Sequence, residues 1–190
     1  LRWSELEDIS GFSSERERVL LDLLKNATDF YEDTIGILSS IFELTERVSK
    51  GSAEEDFYTY IVNVLIEESR CENASVFILD NGHIILKAAA GSNPDDANDK
   101  LCIELGEGVA GRCALEGKPV LISDVAQCDF FKDMSSTRVR IGSLLCVPIK
   151  EGNNTFGVLN LSHSHRDFFN INYVRVFELL GLLVGQMLTI

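Results

Sequence analysis

Apolar residues recur with a seven-residue spacing along the first quarter of the chain, from Leu20 to Val48. The first position of the repeat is filled by Leu20, Ala27, Thr34, Ile41 and Val48, and the fourth by Leu23, Phe30, Ile37 and Leu44. Leu24, Tyr31 and Leu38 widen the stripe, which favours a helix that contacts both a partner helix and its own domain. We therefore expect a long dimerising helix within residues 1–50. The alternative is a helix that packs only on its own sheet.

Shorter patterns follow, and they predict a sheet framed by helices. Residues 54–70 and 170–190 show helical spacing of apolar positions. Strands are predicted at residues 75–80, 83–90, 101–105, 120–123, 144–150 and 156–163. Asn81-Gly82 is a strong hairpin signal. We expect an α+β fold in which an antiparallel sheet carries the long N- and C-terminal helices on one face. A short helix and residues 124–142 cover a ligand pocket on the other face.

Closely spaced glycines mark the centre of the chain. Gly106 and Gly108 predict a turn out of a strand, since glycine adopts backbone conformations that other residues avoid. Gly117, followed by Pro119, predicts the end of a short helix. The spacing differs from GxGxxG, and no GK[ST] motif follows. We therefore expect no nucleotide-phosphate site of that kind.

The same stretch carries a family resemblance. The motifs GEGVAGRxALEGKPV, LISDV, SLLCVPI and FGVLNL follow one another in the order typical of GAF domains. From about Tyr58 onward the chain therefore resembles a GAF domain, a PAS-related sensor module. The resemblance implies a GAF domain at residues 51–190, preceded by a helical extension at residues 1–50. It does not identify a ligand, because GAF domains share a scaffold and differ in what they bind.

Composition narrows the range of partners. Acidic residues outnumber basic ones by 30 to 17, which gives a net charge of −13 over 190 residues. Such a charge repels phosphate backbones and anionic lipids, so we expect no direct nucleic-acid partner and no membrane partner. The five cysteines include no CxxC motif, which argues against a disulfide framework and a zinc site. A cytoplasmic protein fits these features, and a chain that starts at Leu1 suggests a fragment of a longer protein.

The candidate ligand site follows from strand alternation and from the resemblance. Val158, Asn160 and Ser162 share one face of a strand, and this more polar face is expected to line the pocket. The resemblance implies a ligand between this face, the short helix and the loop that follows the helix. The predicted ligand-binding residues are Ser75, Phe77, Val109, Ala110, Phe131, Thr137, Arg138, Arg140 and Asn160.

Two of these residues suggest a charge for the ligand. Arg138 and Arg140 alternate in the loop, and a guanidinium group matches the geometry of a carboxylate. An anionic ligand is therefore one interpretation. The alternative is that both arginines are solvated surface charges or pair with Asp129 and Asp133.

Departures from known GAF subfamilies exclude some ligands. Ala89 and Ala90 stand where cyclic-nucleotide-binding members carry a Phe-Asp pair, and neither alanine can stack on a purine or accept a specific hydrogen bond. Bilin-binding members need a cysteine, commonly followed by histidine, whereas Cys128 precedes Asp129. We expect neither ligand, and the sequence leaves the cofactor unknown.

One enzyme class shares the fold, the free-methionine-sulfoxide reductases. Cys102 matches the first of their cysteine positions, but Ala110 occupies the second and the third falls near Thr137. A hydroxyl cannot replace a thiol that attacks a sulfoxide sulfur. His163 and His165 are interpreted as parts of a solvated loop rather than as metal ligands. The sequence thus predicts no catalytic residue, no metal site and no enzymatic activity.

The function predicted from these features is regulatory. We expect a small-molecule-sensing GAF domain, of a bacterial-type signalling or transcription-regulating protein such as a two-component system. It would act as a homodimer through its terminal helices on an output domain outside this chain. The main alternative is a ligand-free GAF domain that serves as a dimerisation spacer, and a GAF-fold reductase is the third interpretation.

Overall fold

The computed structural model describes residues 15–49, 54–91, 101–131 and 140–189, with part of the first helix described by its backbone alone. The chain divides into two compact units, Leu1–Gly36 and Ile37–Ile190. None of the described helices combines the length and the apolar character that crossing a membrane requires.

Helix α1 runs from Glu15 to Ser49, as the heptad pattern predicts. In the first unit its described apolar side chains are largely exposed: Val19, Leu20, Leu23, Leu24, Tyr31 and Ile35. In the second unit the end of α1 is hydrogen-bonded to helix α2 (Glu54–Ser69). The Tyr60 hydroxyl, which has one hydrogen to donate, lies within hydrogen-bond distance of two acceptors: the carbonyl oxygen of Ser40 at 3.3 Å and Glu43 Oε2 at 3.1 Å.

Six strands form one antiparallel sheet in the order β3-β2-β1-β6-β5-β4. The strands are β1 (Asn73–Asp80), β2 (His83–Gly91), β3 (Cys102–Glu104), β4 (Val120–Ile122), β5 (Ser143–Glu151) and β6 (Asn154–His163). Asn81 and Gly82 both have positive φ, 48° and 84°. This is the backbone conformation that a two-residue hairpin turn requires, and its twist matches that of the flanking strands. The predicted antiparallel α+β sheet is confirmed.

One face of the sheet carries only large apolar side chains at its centre. Val76, Leu145, Val147, Leu159 and Leu161 are each fully buried and lie on the same side of neighbouring strands. Helix α2 packs on β1 and β2, and helix α4 (Ile171–Met187) packs on β5 and β6. These two helices supply the cover that the buried face needs.

The contact between α4 and β5 is close because two glycines allow it. A Cβ atom at Gly181 would overlap the carbonyl oxygen of Pro148, and one at Gly185 would overlap that of Lys150. Any larger residue would force the helix away from the strand. The position of α4 is therefore fixed against the C-terminal half of β5, at Pro148 and Lys150.

The second face is covered by helix α3 (Gly108–Glu116). Gly117 ends this helix in the left-handed conformation, with φ of 61°, and its N–H donates to the carbonyl oxygen of Cys113. The predicted turn and helix stop are confirmed. The segment after β4 starts with a short 3-10 helix, Val125–Gln127, which the sequence pattern did not predict.

Candidate ligand-binding site

The face of the sheet under α3, called here the α3 face, is an apolar cluster built from the sheet, from α3 and from the segment after β4. Its buried members are Phe77, Ile84, Leu86, Ile103, Val109, Ala110, Cys113, Ala114, Ile122, Leu144, Cys146 and Val158. Phe130 and Phe131 pack against this cluster and are partly buried. The predicted residues Phe77, Val109, Ala110 and Phe131 therefore lie together on one face.

Strand register places a small polar group at the centre of the α3 face. Ser75 pairs with Asn160, and Asn160 pairs with Cys146 on its other side. The adjacent pair is Asn73 with Ser162. Asn160 Nδ2 donates to Ser75 Oγ, and Asn73 Nδ2 donates to Ser162 Oγ, each over 3.4 Å. The more polar side of β6 thus faces α3, as strand alternation predicts.

A β-bulge determines which residue of β2 lies beside Ser75. The register between β1 and β2 shifts between Val76 and Phe77, so that Ala89 becomes the partner of Ser75. Without the bulge, alternation along β2 would turn the side chain at this position to the opposite face. Ala89 is partly buried and packs against the apolar cluster of the α3 face.

Asn160 has an unmet hydrogen-bonding requirement. Its Oδ1 atom is buried, and no group in the described part of the chain donates a hydrogen bond to it. A buried acceptor without a partner costs about 1–3 kcal/mol, and folded proteins contain few of them. Among the described polar groups of this face, the Asn160 amide is therefore the one whose buried oxygen lacks a hydrogen-bond donor.

Two thiols close one side of this polar group. Cys113 on α3 and Cys146 on β5 are fully buried. Burial raises the pKa of Cys146 well above its usual value, and the neighbouring Cys113 thiol adds to the shift. The Cys146 thiol therefore stays protonated, and both cysteines pack as small core residues, as the sequence predicts for cysteines in apolar segments.

An arginine that sequence reasoning missed links α3 to the segment after β4. The guanidinium carbon of Arg112 lies 4.2 Å from the ring centroid of Phe130. Such a cation–π contact is worth about 0.5–1 kcal/mol at an exposed site. No sequence signal identifies this pair, because the two residues meet only when the segment folds back over α3.

The remaining predicted site residues differ in where they lie. Arg140 is exposed to solvent, which fits the surface-charge interpretation better than an anionic ligand held by this residue. Thr137 and Arg138 lie outside the described residues. The α3 face therefore brings together six of the predicted site residues: Ser75, Phe77, Val109, Ala110, Phe131 and Asn160.

The prediction that His163 lies in a solvated loop is wrong. His163 is only 9% exposed, and its ring stacks on Phe168 with 3.8 Å between the centroids. The N–H of His165 donates to His163 Nδ1 over 2.9 Å, so that the neutral ring carries its proton on Nε2. That nitrogen lies 3.7 Å from Glu72 Oε1. Among the described residues, no group of three or more His, Cys, Asp or Glu side chains could hold a metal ion.

Glu72 fixes the start of the turn that follows β6. The N–H and the hydroxyl of Ser164 donate to the two carboxylate oxygens of Glu72 over 2.9 and 2.7 Å. The hydrogen bond from the Ser164 side chain is the largest cause that holds the pKa of Glu72 below its usual value. Residues 163–167, called here the junction turn, are thereby bound to the segment between α2 and β1.

The junction turn also holds both ends of segment 124–142. At one end, Asp167 N–H donates to Ser123 over 2.8 Å, and Arg166 Nε lies 3.3 Å from Asp124 Oδ1. At the other end, Gly142 N–H donates to the carbonyl oxygen of His163 over 2.8 Å. Helix α4 begins four residues after the turn, at Ile171. The two described ends of segment 124–142 and the start of α4 are therefore attached to the same few residues.

These features agree with a comparison against known families. A family model described as the GAF domain matches residues 51–189. The chain belongs to the GAF domain family. The resemblance noted in the sequence is confirmed, and the matched region contains every strand of the sheet.

Solved structures of GAF domains share this fold. The GAF domain of a phosphoenolpyruvate-protein phosphotransferase from Coxiella burnetii is 21% identical and has a TM-score of 0.69, with 82% of this chain and 94% of that chain covered. The A. aeolicus nlh2 GAF domain in an inactive state is 18% identical and has a TM-score of 0.68, with coverage of 83% and 98%.

Another neighbour corrects one prediction. The free methionine-R-sulfoxide reductase from Neisseria meningitidis, solved in complex with its substrate, is 18% identical and has a TM-score of 0.66. The match covers 80% of this chain and 88% of that chain. Further reductases of this kind share the fold. The prediction of no enzymatic activity is therefore contradicted, because the structural neighbours of this chain include enzymes.

Proposed function

We propose that this chain is a regulatory GAF domain that binds a small molecule on the α3 face and signals through its terminal helices in a homodimer. In this proposal, residues 1–50 form the dimerising extension and residues 51–190 the sensor. The output domain lies outside this chain, and the protein works in the cytoplasm.

One observation carries the proposal, the buried Oδ1 of Asn160 on a largely apolar face. Ligand sites are usually apolar with a few polar groups that fix orientation. Ser75 and Asn160 supply such groups, with Val109, Ala110 and Phe131 among the surrounding apolar residues. A spacer domain without a ligand would gain stability from an apolar residue at position 160.

The junction turn supports a route for the signal. It is bonded to Asp124 and Gly142, the two ends of segment 124–142, and the described residues Phe130 and Phe131 of this segment pack against the α3 face. A ligand can shift the terminal helices only if it binds two of their arrangements unequally. Movement of segment 124–142 would reach the start of α4 through this turn, and the α2 end through Glu72.

Exposed apolar residues on α1 support the homodimer. Leu20 is 58% exposed and Leu23 is 61% exposed, on a helix of 35 residues. Contiguous apolar surface of this kind marks an interaction site, and the heptad spacing fits a second copy of the same helix.

Hydrogen exchange tests the proposed function directly. Protein purified in its native state is compared with protein that has been unfolded, dialysed and refolded, which removes small molecules. We expect slower exchange of α3 amides in the native preparation, together with a change in α1 or α4. Identical exchange in the two preparations, at equal dimer content, would favour the spacer.

A second candidate function is reduction of free methionine sulfoxide. It is favoured by the thiol of Cys102, the cysteine among the five that is exposed, on β3 just before the glycine turn. The test is turnover of free methionine-R-sulfoxide with a dithiol reductant. If the chain is a reductase, wild-type protein should turn over the substrate and the Cys102→Ser variant should not. No turnover by wild-type protein would exclude the reductase function.

A further inference from the structure

The unmet acceptor on Asn160 defines what a ligand of the α3 face must offer. Asn160 Nδ2 already donates to Ser75 Oγ over 3.4 Å. In this arrangement Oδ1 is the amide atom that lacks a hydrogen-bond partner. Because Oδ1 can only accept, the missing partner must carry an N–H or O–H group.

The hydroxyl of Ser75 adds a second requirement. Its oxygen accepts from Asn160, and no described group accepts its hydrogen. A hydroxyl is both a donor and an acceptor, so Ser75 can still donate. The site therefore presents an acceptor on β6 and a donor on β1, from two residues that pair across these neighbouring strands.

The surroundings of this pair are apolar. The next row of the sheet is formed by Phe77 and Val158, and Cys146 borders Asn160 on β5. Cys146 is unsuited to act as a charged partner, because burial keeps its thiol protonated. A ligand thus gains hydrogen bonds at Ser75 and Asn160 and apolar contact with the rest of the cluster.

We propose that the α3 face binds a compact apolar molecule that carries an amide-type edge, with an N–H group directed to Asn160 Oδ1 and a neighbouring carbonyl oxygen directed to Ser75 Oγ. Primary amides, lactams and N-heterocycles of the lactam type have this edge. The inference rests on the proposed function, and it states which chemistry the site selects.

Matched pairs of small fragments test this ligand class. Each apolar amide is paired with its N-methylated partner, for example benzamide with N,N-dimethylbenzamide, which has lost every N–H. Binding is measured by ligand-observed NMR to wild-type protein, to Asn160→Leu and to Asn153→Leu, a control at an exposed turn position. Ser75→Ala serves as a second site variant that keeps Asn160.

The expected result is selectivity that depends on Asn160. At least one amide should bind about tenfold more tightly than its N-methylated partner. This preference should vanish in Asn160→Leu, weaken in Ser75→Ala and persist in Asn153→Leu. Thermal unfolding of each variant verifies that it is folded.

Two results would overturn the ligand class. N-methylated partners that bind as tightly as their amides would show that no donor is required. Binding that is the same in wild type and Asn160→Leu, or absent from both, would show that Asn160 Oδ1 does not select ligands of this class. Neither result decides the sensor function, because the hydrogen-exchange comparison detects bound molecules of any chemistry.

Discussion

Asn160 and Cys146 are cross-strand neighbours on the same face of the sheet, but their side chains differ in hydrogen bonding. The Cys146 thiol lies beside Cys113 and remains neutral, because burial raises its pKa. Asn160 keeps a buried oxygen without a described donor. A residue that leaves a buried polar atom unpaired usually has a function that outweighs the lost stability.

The five cysteines should differ sharply in reactivity, because the thiolate is the nucleophile. Cys102 is exposed, whereas burial raises the pKa of Cys71 to about 11 and that of Cys146 well above its usual value. In native protein treated with iodoacetamide, Cys102 should be alkylated first, and Cys71 and Cys146 only after unfolding. Peptide mass spectrometry over time measures the order. Equal rates for Cys102 and Cys146 in native protein would contradict the described packing.

At the scale of elements, the approach of α4 to β5 depends on glycine. An alanine in an unconstrained helix is about 1 kcal/mol more favourable than glycine. At Gly185 we expect alanine to be less favourable than glycine, because a Cβ atom would overlap the carbonyl oxygen of Lys150. We expect Gly185→Ala to lower the free energy of unfolding by about 1–3 kcal/mol in urea titrations. The exposed neighbour Gln186→Ala is the control and should be neutral or slightly stabilising. A stabilised Gly185→Ala variant would contradict the close contact.

The junction turn should give a pH-dependent contribution to stability. The pKa of Glu72 is lowered in the folded state, mainly by the Ser164 hydroxyl. A carboxylate with a lowered pKa stabilises the fold above its unfolded value of about 4.3, and this contribution is lost as the pH falls through the folded pKa. Glu72→Gln should therefore cost about 1 kcal/mol near pH 7, given its partial exposure, and progressively less below about pH 4.

The measurement is the unfolding free energy of wild type and Glu72→Gln between pH 3 and pH 7, with Glu151→Gln at the exposed β5–β6 hairpin as control. The control difference should be small at every pH. A Glu72→Gln difference that stays constant over this range would show that its carboxylate charge has no part in holding the turn.

Local signals made most elements predictable. Asn81-Gly82 specified the first hairpin, and Gly117 with Pro119 specified the end of α3. The start of β1 at Asn73 could not be predicted, because asparagine and alanine have low strand propensity and the pairing with β6 is what extends the strand. The burial of His163 was missed for a similar reason, since Glu72 and Phe168 reach it only in the folded chain.

The face on which the candidate site lies was predictable, but the contacts that complete the site were not. Strand alternation placed Ser75 and Asn160 on the face with α3, which the register bears out. The bulge beside Val76 has no sequence signal, although it decides that Ala89 lies next to Ser75. Arg112 was missed and Arg140 was overvalued, because the position of a long charged side chain depends on how the chain around it folds.

At the scale of the whole molecule, the exposed face of α1 predicts association between copies of the chain. Replacing Leu23 and Leu24 together with glutamate should give a monomer by light scattering at micromolar concentration, since charges would replace apolar contacts along the stripe. The control introduces glutamate at Arg18 and Lys25, away from the stripe, and should leave the mass unchanged. An unchanged dimer mass in the leucine variant would place the interface elsewhere.

Native mass spectrometry tests the central claim, that the α3 face binds a small molecule, most directly. Wild-type protein purified without added ligand is compared with Asn160→Leu, purified in the same way. The account predicts a wild-type mass above that of the polypeptide, with the excess released on unfolding and absent or strongly reduced in Asn160→Leu. An excess mass equally present in the variant, or a wild-type mass equal to the polypeptide alone, would contradict it.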